Sequence, residues 1–363
     1  MIHPDVRRRF PGLEDRAYLD TATKAVPPAE ALAALRAEVD AWAAGTADHG
    51  RWEAAAERAR DLVALLLGRE PHDVALVSSH VAAASTIARA WPDASVVVPE
   101  AEFRSNLLPW LSGRERVRLV PSPATTDALC AAVDGGTDLV AVSSVQSADG
   151  LRVDLPRLVA HAHSRGALVY VDASQSLGAD ATLARCGADF IAAVAYKWLL
   201  GARGAAFLAV RPEHQGRFTP VLTGPESSRD IADGVKYGAG YRLWDDARRF
   251  DQPRAWLSWI ATAASLELLT GYRPADLDGH ATALAARFRD GADELGMTPA
   301  PRDVPSAITA VACADPPAAV ARLRAAGVHA AAREGALRFA FHLYNTDDDV
   351  DRALAALRTD GPN

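Results

Sequence analysis

The sequence predicts an α/β protein with a large domain, built on a mainly parallel seven-stranded sheet, and a smaller α+β C-terminal domain. Three observations support this prediction. Short β-branched runs alternate with helical stretches rich in Ala, Leu and Arg, as in an open α/β sheet. Most of the runs are continuously apolar, which is typical of strands covered on both faces. At 363 residues, the chain is also long enough for two domains.

The large domain is predicted to contain seven strands. In chain order these are 74–78, 95–99, 116–120, 138–142, 167–172, 190–194 and 205–210. Helical stretches lie between them, such as 53–67, 81–90 and 154–164. This β-α-β-α order favours a parallel sheet.

The pattern changes after the last of these strands. Residues 212–250, rich in Gly, Pro, Asp and Arg, predict a loop-rich connection. A helix over 255–269, ended by Gly271, opens the C-terminal part. The elements expected after it are helix 277–295, strand 306–313, helix 316–326, strand 336–342 and helix 346–358. We expect a large domain over 13–255 and a small domain formed by 1–12 and 256–363.

Composition and missing motifs exclude several classes of function. A net charge of −7 does not favour a nucleic-acid partner, and no run has the roughly 18 apolar residues of a membrane span. Three Cys without a CxxC pair, and a polar start, predict a reduced cytoplasmic protein. Without an HExxH or a paired Cys/His set, no metal site is expected. The Gly238–Gly240 pair lacks a third glycine, which disfavours a nicotinamide oxidoreductase.

Lysine usage points to the chemistry. Of the 39 basic residues only Lys24, Lys197 and Lys236 are lysines, and only lysine can act as a nucleophilic amine. Lys197 and Asp172 follow adjacent predicted strands, whose carboxyl ends face one crevice. Such a pair fits pyridoxal 5′-phosphate (PLP): the amine forms a Schiff base and the carboxylate pairs with the pyridine nitrogen. A loop-capping Asp beside a surface Lys would give the same pair. Lys24 could face the same crevice.

Two motifs extend this pair. Asp-Ala-Ser-Gln-x-x-Gly at 172–178 and Lys-Trp-Leu-x-Gly-x-x-Gly at 197–204 resemble the class V aminotransferase family, which includes cysteine desulfurases, selenocysteine lyases and isopenicillin N epimerase-like enzymes. Further matching blocks lie at 18–22, 102–110 and 338–351, so the resemblance covers nearly the whole chain. It implies PLP fold type I, an amino-acid substrate and a homodimer with sites at the subunit seam.

The resemblance assigns roles around the cofactor. Lys197 would hold PLP and move the Cα proton, and Asp172 would bind the pyridinium nitrogen. Gln175 would bond the phenolic oxygen, and Phe103 would stack on the ring unless it is a core aromatic.

The phosphate is expected where a helix begins, at Ser79, His80 and Val81. Here the sequence departs from the family's Thr-x-Gly-Thr, because His80 replaces the Gly and Val81 the hydroxyl residue. His80 could bind phosphate or merely cap the helix. Tyr196 could also donate to phosphate, and Thr223 could do so from a partner subunit.

Arg338 is the expected substrate carboxylate ligand, since a guanidinium can hold a carboxylate in bidentate fashion. Ser147 occupies the place of the family's Asn. His49, in a predicted loop over 48–51, is a further candidate, although a polar loop His is more often structural.

The absence of a loop cysteine bears on which reaction of the family this protein catalyses. The family's desulfurases carry a nucleophilic Cys on a loop before the carboxylate Arg, and this sequence has none between Cys313 and Arg338. The short hairpin expected at 333–338 looks more like that of C–S lyases and epimerases. We therefore predict β-elimination and disfavour desulfurase chemistry. Transamination and epimerisation stay open, as does a non-catalytic PLP-binding protein, suggested by Val81 and Val194 in the phosphate cup.

Overall fold

The computed structural model describes residue 2 and residues 4–302 and 304–358. The strands in these ranges are β1 (Ala17–Tyr18), β2 (Val74–Val77), β3 (Val96–Pro99), β4 (Val117–Val120), β5 (Leu139–Ser143), β6 (Leu168–Asp172), β7 (Phe190–Val194), β8 (Ala206–Val210), β9 (Ile308–Ala312), β10 (Val328–His329), β11 (Ala331–Arg333) and β12 (Ala336–Ala340). The α-helices are α1 (Ala29–Ala43), α2 (His49–Leu67), α3 (His80–Ala90), α4 (Arg104–Leu111), α5 (Thr126–Ala132), α6 (Leu155–Ser164), α7 (Pro212–Gln215), α8 (Arg229–Ala232), α9 (Trp256–Thr270), α10 (Pro274–Glu294), α11 (Pro316–Ala325) and α12 (Asp347–Leu357).

The seven predicted strands form one sheet in the order β2-β8-β7-β6-β5-β3-β4, which confirms the predicted fold class. Strands β3 to β7 pair in parallel, whereas β8 runs antiparallel to both β7 and β2. The connection from β7 to β8 contains no helix, and a parallel return needs a crossover of a dozen or more residues. This short connection explains the antiparallel strand.

Both faces of the sheet are covered. In β6, Val169 and Val171 pack into one hydrophobic core while Tyr170 between them packs into the other. The edge strand β4 is different, because Arg118 and Leu119 are exposed. Successive side chains of an inner strand enter opposite cores, so a continuous apolar run along it is needed.

The C-terminal part forms a second, antiparallel sheet in the order β11-β12-β9, and a third core includes Phe288, Phe339 and Phe341. The predicted hairpin is present, and its turn residues Glu334 and Gly335 both have positive φ, as in a tight two-residue turn. Helix α10 begins three residues earlier than expected, with Pro274 at its first position. Residues 212–250 contain only short helical turns.

The N-terminal segment joins the two parts. Strand β1 pairs in parallel with β10, and Phe10 packs edge-on against Tyr344. The division into 13–255 and 1–12 with 256–363 stays a prediction. Residues 1, 3, 303 and 359–363 of the expected small domain lie outside the described residues. Across the described residues, no helix is long and apolar enough to cross a membrane.

Candidate active site

The carboxyl ends of the parallel strands open into a cavity of about 510 Å³. The small sheet closes one side through its hairpin. The lining residues are Ala22, Thr23, Lys24, Ala25, Phe103, Ser147, Tyr196, Lys197, Gly201, Arg203, Arg333 and Arg338. Of the sequence-predicted site residues, the structure therefore brings Lys197, Arg338, Phe103, Tyr196 and Ser147 together around one space.

Asp172 is the last residue of β6 and is buried. Its Oδ1 accepts a hydrogen bond from the backbone N–H of Ser174 at 2.8 Å. Its Oδ2 lies 3.3 Å from Nε2 of His80. Two partners thus fix the carboxylate at the end of the strand, in the orientation that the β6 ladder gives it.

Lys197 follows β7 and is buried beside the cavity. The pKa of its amine is lowered from 10.5 to about 8, chiefly by burial and to a smaller extent by Arg338 and Arg333, while Asp172 and Asp20 oppose the shift. Its Nζ lies 5.4 Å from the centre of the Phe103 ring. A lysine with such a pKa is partly unprotonated near neutral pH, as a nucleophile and a base must be.

Phe103 is half exposed and its position is set by its neighbour. The buried carboxylate of Glu102 accepts the backbone N–H of Phe103 at 2.9 Å and the backbone N–H of Ser143 at 2.7 Å. Burial raises the pKa of this carboxyl group. Glu102 thereby ties the start of α4 to the end of β5, and the Phe103 ring faces the cavity instead of the core.

Arg338, on β12, is fully buried yet lines the cavity. Its Nη1 donates to the carbonyl oxygen of Ser147 at 2.7 Å, and its Nη2 donates to Oγ1 of Thr23 at 2.7 Å and to Oδ1 of Asp20 at 3.3 Å. Its Nε is buried without a partner. An unpartnered guanidinium nitrogen beside a cavity fits a site for a carboxylate.

Gln175 does not line the cavity. Its Nε2 donates to the carbonyl oxygen of Ala22 and to Oγ of Ser147, both at 3.0 Å, and its Oε1 accepts from Trp198 at 3.0 Å. Both amide hydrogens are therefore used within the protein. Its expected bond to the phenolic oxygen stays a prediction and requires one of these contacts to change.

A second, smaller cavity of about 190 Å³ adjoins the first at the start of α3. Tyr196 and Arg203 line both cavities, and the other lining residues are Ser78, Ser79, His80, Val81, Ser105, Val194, Gly204 and Ala205. Ser79 is the N-cap, and its Oγ accepts the N–H of Ala82 at 3.2 Å. The expected phosphate residues Ser79, His80, Val81 and Tyr196 thus surround one helix N-terminus, the position that suits an anion.

The imidazole of His80 contacts Asp172 and Tyr170. It is fully buried, with Nε2 3.3 Å from both Oδ2 of Asp172 and the hydroxyl of Tyr170. Burial lowers its pKa, and the hydrogen bond of Nε2 is with the Tyr170 hydroxyl. Its backbone begins α3, so an anion at this helix end would meet main chain, and a phosphate role for the ring stays untested.

His49 and Thr223 lie apart from the two cavities. The expected loop over 48–51 is wrong: Asp48 caps α2 by accepting the N–H of Gly50 at 2.8 Å, so His49 is helical. His49 is exposed and packs against the ring of Trp256. Thr223 lines a separate surface cavity with Tyr237. Within one chain, the structure brings neither residue to Lys197, and their roles stay predictions.

Sequence reasoning did not identify five polar or charged cavity residues: Thr23, Ser78, Ser105, Arg203 and Arg333. Ser105 and Arg203 lie inside the recognised blocks 102–110 and 197–204, which was the available signal. Arg333 carried none, being one of many arginines. Lys24 lines the cavity, as its place after the first strand suggested.

A lysine amine and a fixed carboxylate at the carboxyl ends of β6 and β7, beside a helix N-terminus, fit PLP. Lys197 would hold its aldehyde carbon, Asp172 its ring nitrogen and the start of α3 its phosphate. No group of three or more His, Cys, Asp or Glu that could hold a metal occurs in the described part of the chain. Fold and site together define a PLP-dependent enzyme of fold type I.

Comparison with known proteins supports the assignment to the PLP-dependent enzymes. The family model for aminotransferase class V matches residues 17–353, so this chain belongs to that family. A probable cysteine desulfurase of Methanothermobacter thermautotrophicus is 32% identical over 68% of this chain and 64% of its own length. The uncharacterized aminotransferase YcbU of Bacillus subtilis is 30% identical over 84% of each chain. The cysteine desulfurase CsdA of Escherichia coli is matched over 62% of its length. The matched region thus covers less than two thirds of the length of the Methanothermobacter and Escherichia coli proteins.

Solved structures share the fold. The structure of Escherichia coli CsdA superimposes with a TM-score of 0.85 at 24% identity and covers 98% of both chains. The cystine C–S lyase C-DES superimposes with a TM-score of 0.84 at 18% identity and covers 95% of this chain and 98% of its own. At these identities the likeness extends to the fold alone.

Proposed function

We propose that this protein is a PLP-dependent lyase that eliminates a β-substituent, of the C–S lyase type, from an amino acid. The observation that carries the proposal is the position of the thiols. Of Cys130, Cys186 and Cys313, none is among the described residues that line either cavity, and burial raises the pKa of the Cys186 thiol. Persulfide transfer needs a nucleophilic thiol at the substrate, so desulfurase chemistry lacks its acceptor here.

The chain's own residues divide the work. When bound, PLP supplies an aldehyde that condenses with amines and a ring that accepts electrons. Arg338 binds the substrate carboxylate and so aims the Cα–H bond at Lys197. The amine of Lys197 takes the Cα proton at Nζ, and its lowered pKa makes it available near pH 8.

Asp172 acts at the other end of the site. Its carboxylate would keep the ring nitrogen of the bound cofactor protonated. The hydrogen bond from the Ser174 backbone N–H and the nearby His80 ring hold the carboxylate in place. The electron pair of the Cα–H bond forms a Cα–Cβ double bond while the Cβ–S bond breaks and the thiolate leaves. Hydrolysis of the resulting enamine yields pyruvate and ammonia.

A product assay tests the proposal. The PLP-loaded protein is incubated with L-cysteine, L-cystine and S-conjugates of cysteine, and pyruvate, ammonia and the released thiol are measured. We expect the three products in equal amounts from at least one conjugate. Lys197→Arg keeps the positive charge but removes the nucleophilic amine, so we expect it to form no pyruvate while its circular dichroism stays unchanged.

Other products would identify other reactions. Alanine with a persulfide would mean desulfurase chemistry. A keto acid that retains its β-substituent would mean transamination, and the D-enantiomer would mean epimerisation. Any of these in place of pyruvate refutes the elimination.

A homodimer is the second part of the proposal. Large apolar side chains are exposed around Thr223, among them Leu222, Val235 and Tyr237, the last with 92% of its surface exposed. A partner subunit covering them would bring Thr223 to an active site. Light scattering is expected to give about twice the chain mass of 38.4 kDa, and Tyr237→Glu is expected to lower it. A wild-type mass of one chain would refute this.

A further inference from the structure

The main cavity carries an excess of positive charge. Lys24, Lys197, Arg203, Arg333 and Arg338 line it, and no lining residue within the described chain is acidic. Only Arg338 among these five makes a described ion pair, with Asp20 at 3.3 Å. A cavity with this balance attracts an anionic ligand.

Two of these cations converge on one neutral atom. Nη2 of Arg338 and Nη2 of Arg333 both donate to Oγ1 of Thr23, at 2.7 and 3.1 Å. The two guanidinium groups are therefore near neighbours at the mouth of the cavity. Arg338 is buried, whereas Arg333 is exposed on the hairpin. Like charges this close are unfavourable until an anion neutralises them.

The groups already assigned do not use all of these cations. Lys197 holds the cofactor, and Arg338 takes the substrate's α-carboxylate. Arg203 also lines the smaller cavity at the start of α3, where the phosphate of the cofactor would lie. Arg333 is left without an assigned anion, and Lys24 lines the same cavity.

We propose that Arg333 forms a second anion subsite and that the substrate is an amino acid whose side chain ends in a carboxylate. This inference rests on the proposed elimination for its choice of substrate. The eliminated group would then be a carboxyalkyl thiolate. The positions of the two arginines allow one ligand to bridge them, with the α-carboxylate on Arg338 and the side-chain carboxylate on Arg333.

Two ligands of nearly identical shape test the effect of the side-chain charge on binding. S-Carboxymethyl-L-cysteine and S-carbamoylmethyl-L-cysteine differ only in a carboxylate against an amide. Their dissociation constants for the PLP-loaded protein are measured from the rapid change in its visible absorbance, before turnover. We expect the carboxylate to bind about 10- to 100-fold more tightly, as for a charge-assisted hydrogen bond.

Variants of Arg333 test whether this residue causes the preference for the carboxylate ligand. Arg333→Gln is expected to bring both ligands to the same affinity, and Arg333→Lys is expected to keep part of the preference because the charge remains. The matched control is Arg322→Gln, an exposed arginine on α11 away from the cavity, which is expected to bind like the wild type.

Two results would overturn the subsite: equal affinities for the two ligands in the wild type, or a preference that survives in Arg333→Gln. Failure of the elimination looks different. A carboxylate preference that is lost in Arg333→Gln, with no pyruvate formed, would keep the subsite and refute the proposed reaction.

Discussion

Replacing Lys197, the lysine of the candidate active site, is expected to stabilise the cofactor-free protein. Lys197 is buried, and its amine has a pKa of about 8 against 10.5 for an exposed lysine. Each unit of pKa shift corresponds to about 1.36 kcal/mol, so holding the protonated amine in the folded chain costs about 3 kcal/mol at pH 7. Lys197→Met removes the charge at nearly constant volume and should recover most of that energy.

The stability advantage of Lys197→Met over the wild type is expected to decrease as the pH rises. Below about pH 8 both the folded and the unfolded chain hold the proton, so the full penalty applies. Between pH 8 and 10.5 the unfolded chain binds more protons, and the wild type gains stability as the pH rises. The advantage of Lys197→Met should therefore fall to about 1 kcal/mol at pH 10.

Urea unfolding of the cofactor-free proteins at pH 7 and pH 10 measures both numbers. The control is Arg322→Met, since Arg322 is exposed on α11 and its removal should change stability by less than about 0.5 kcal/mol at either pH. The reasoning would be refuted by a Lys197→Met variant no more stable than the wild type at pH 7. An advantage of equal size at pH 7 and pH 10 would refute it too, because it could not come from the amine's charge.

Three further variants test other contacts. Gly150→Ala places a Cβ atom 2.3 Å from the carbonyl oxygen of Ile308 at a φ of +81°, so we expect a loss of about 3 kcal/mol in urea unfolding; an unchanged midpoint would contradict the close approach. Asp251→Ala leaves Arg60 buried without the carboxylate 2.6 Å away, and calorimetry should show a loss of about 3–5 kcal/mol that Asp251→Asn partly restores. Arg338→Lys would lose the two-pronged contact that we propose with the substrate carboxylate, so titration should show about tenfold weaker amino-acid binding with the cofactor's absorbance unchanged.

The strands of the large sheet could be predicted from the sequence because most of them are buried on both faces. Each of the seven strands of the large sheet was predicted to within one residue at either end. For most of them the signal was a continuous apolar run, because a strand covered on both faces admits little else, whereas the edge strand β4 is partly exposed. Helix α1 was missed, since much of it is exposed and its apolar stripe is weak. The start of α2 was missed because one capping aspartate, Asp48, decides it.

The site was predictable where a residue type is rare. Lys197 stood out among many arginines, and Asp172 followed from its place at a strand end. The contact between His80 and Asp172 had no sequence signal, because it depends on how α3 packs against β6. The same holds for Arg333, whose charge matters only once the hairpin folds over Thr23.

The pairing of β1 with β10 has a consequence for the order of synthesis. Ala17 leaves the ribosome first but pairs with Val328, and Asp20 bridges to Ala340. At about 5–20 residues per second, the N-terminal strand waits roughly 15 to 60 s for its partner. The large sheet can form during that interval, while Thr23 and Arg338 meet only when translation is nearly over. A nascent chain therefore forms its large sheet well before the wall of the main cavity that contains Arg338 is in place.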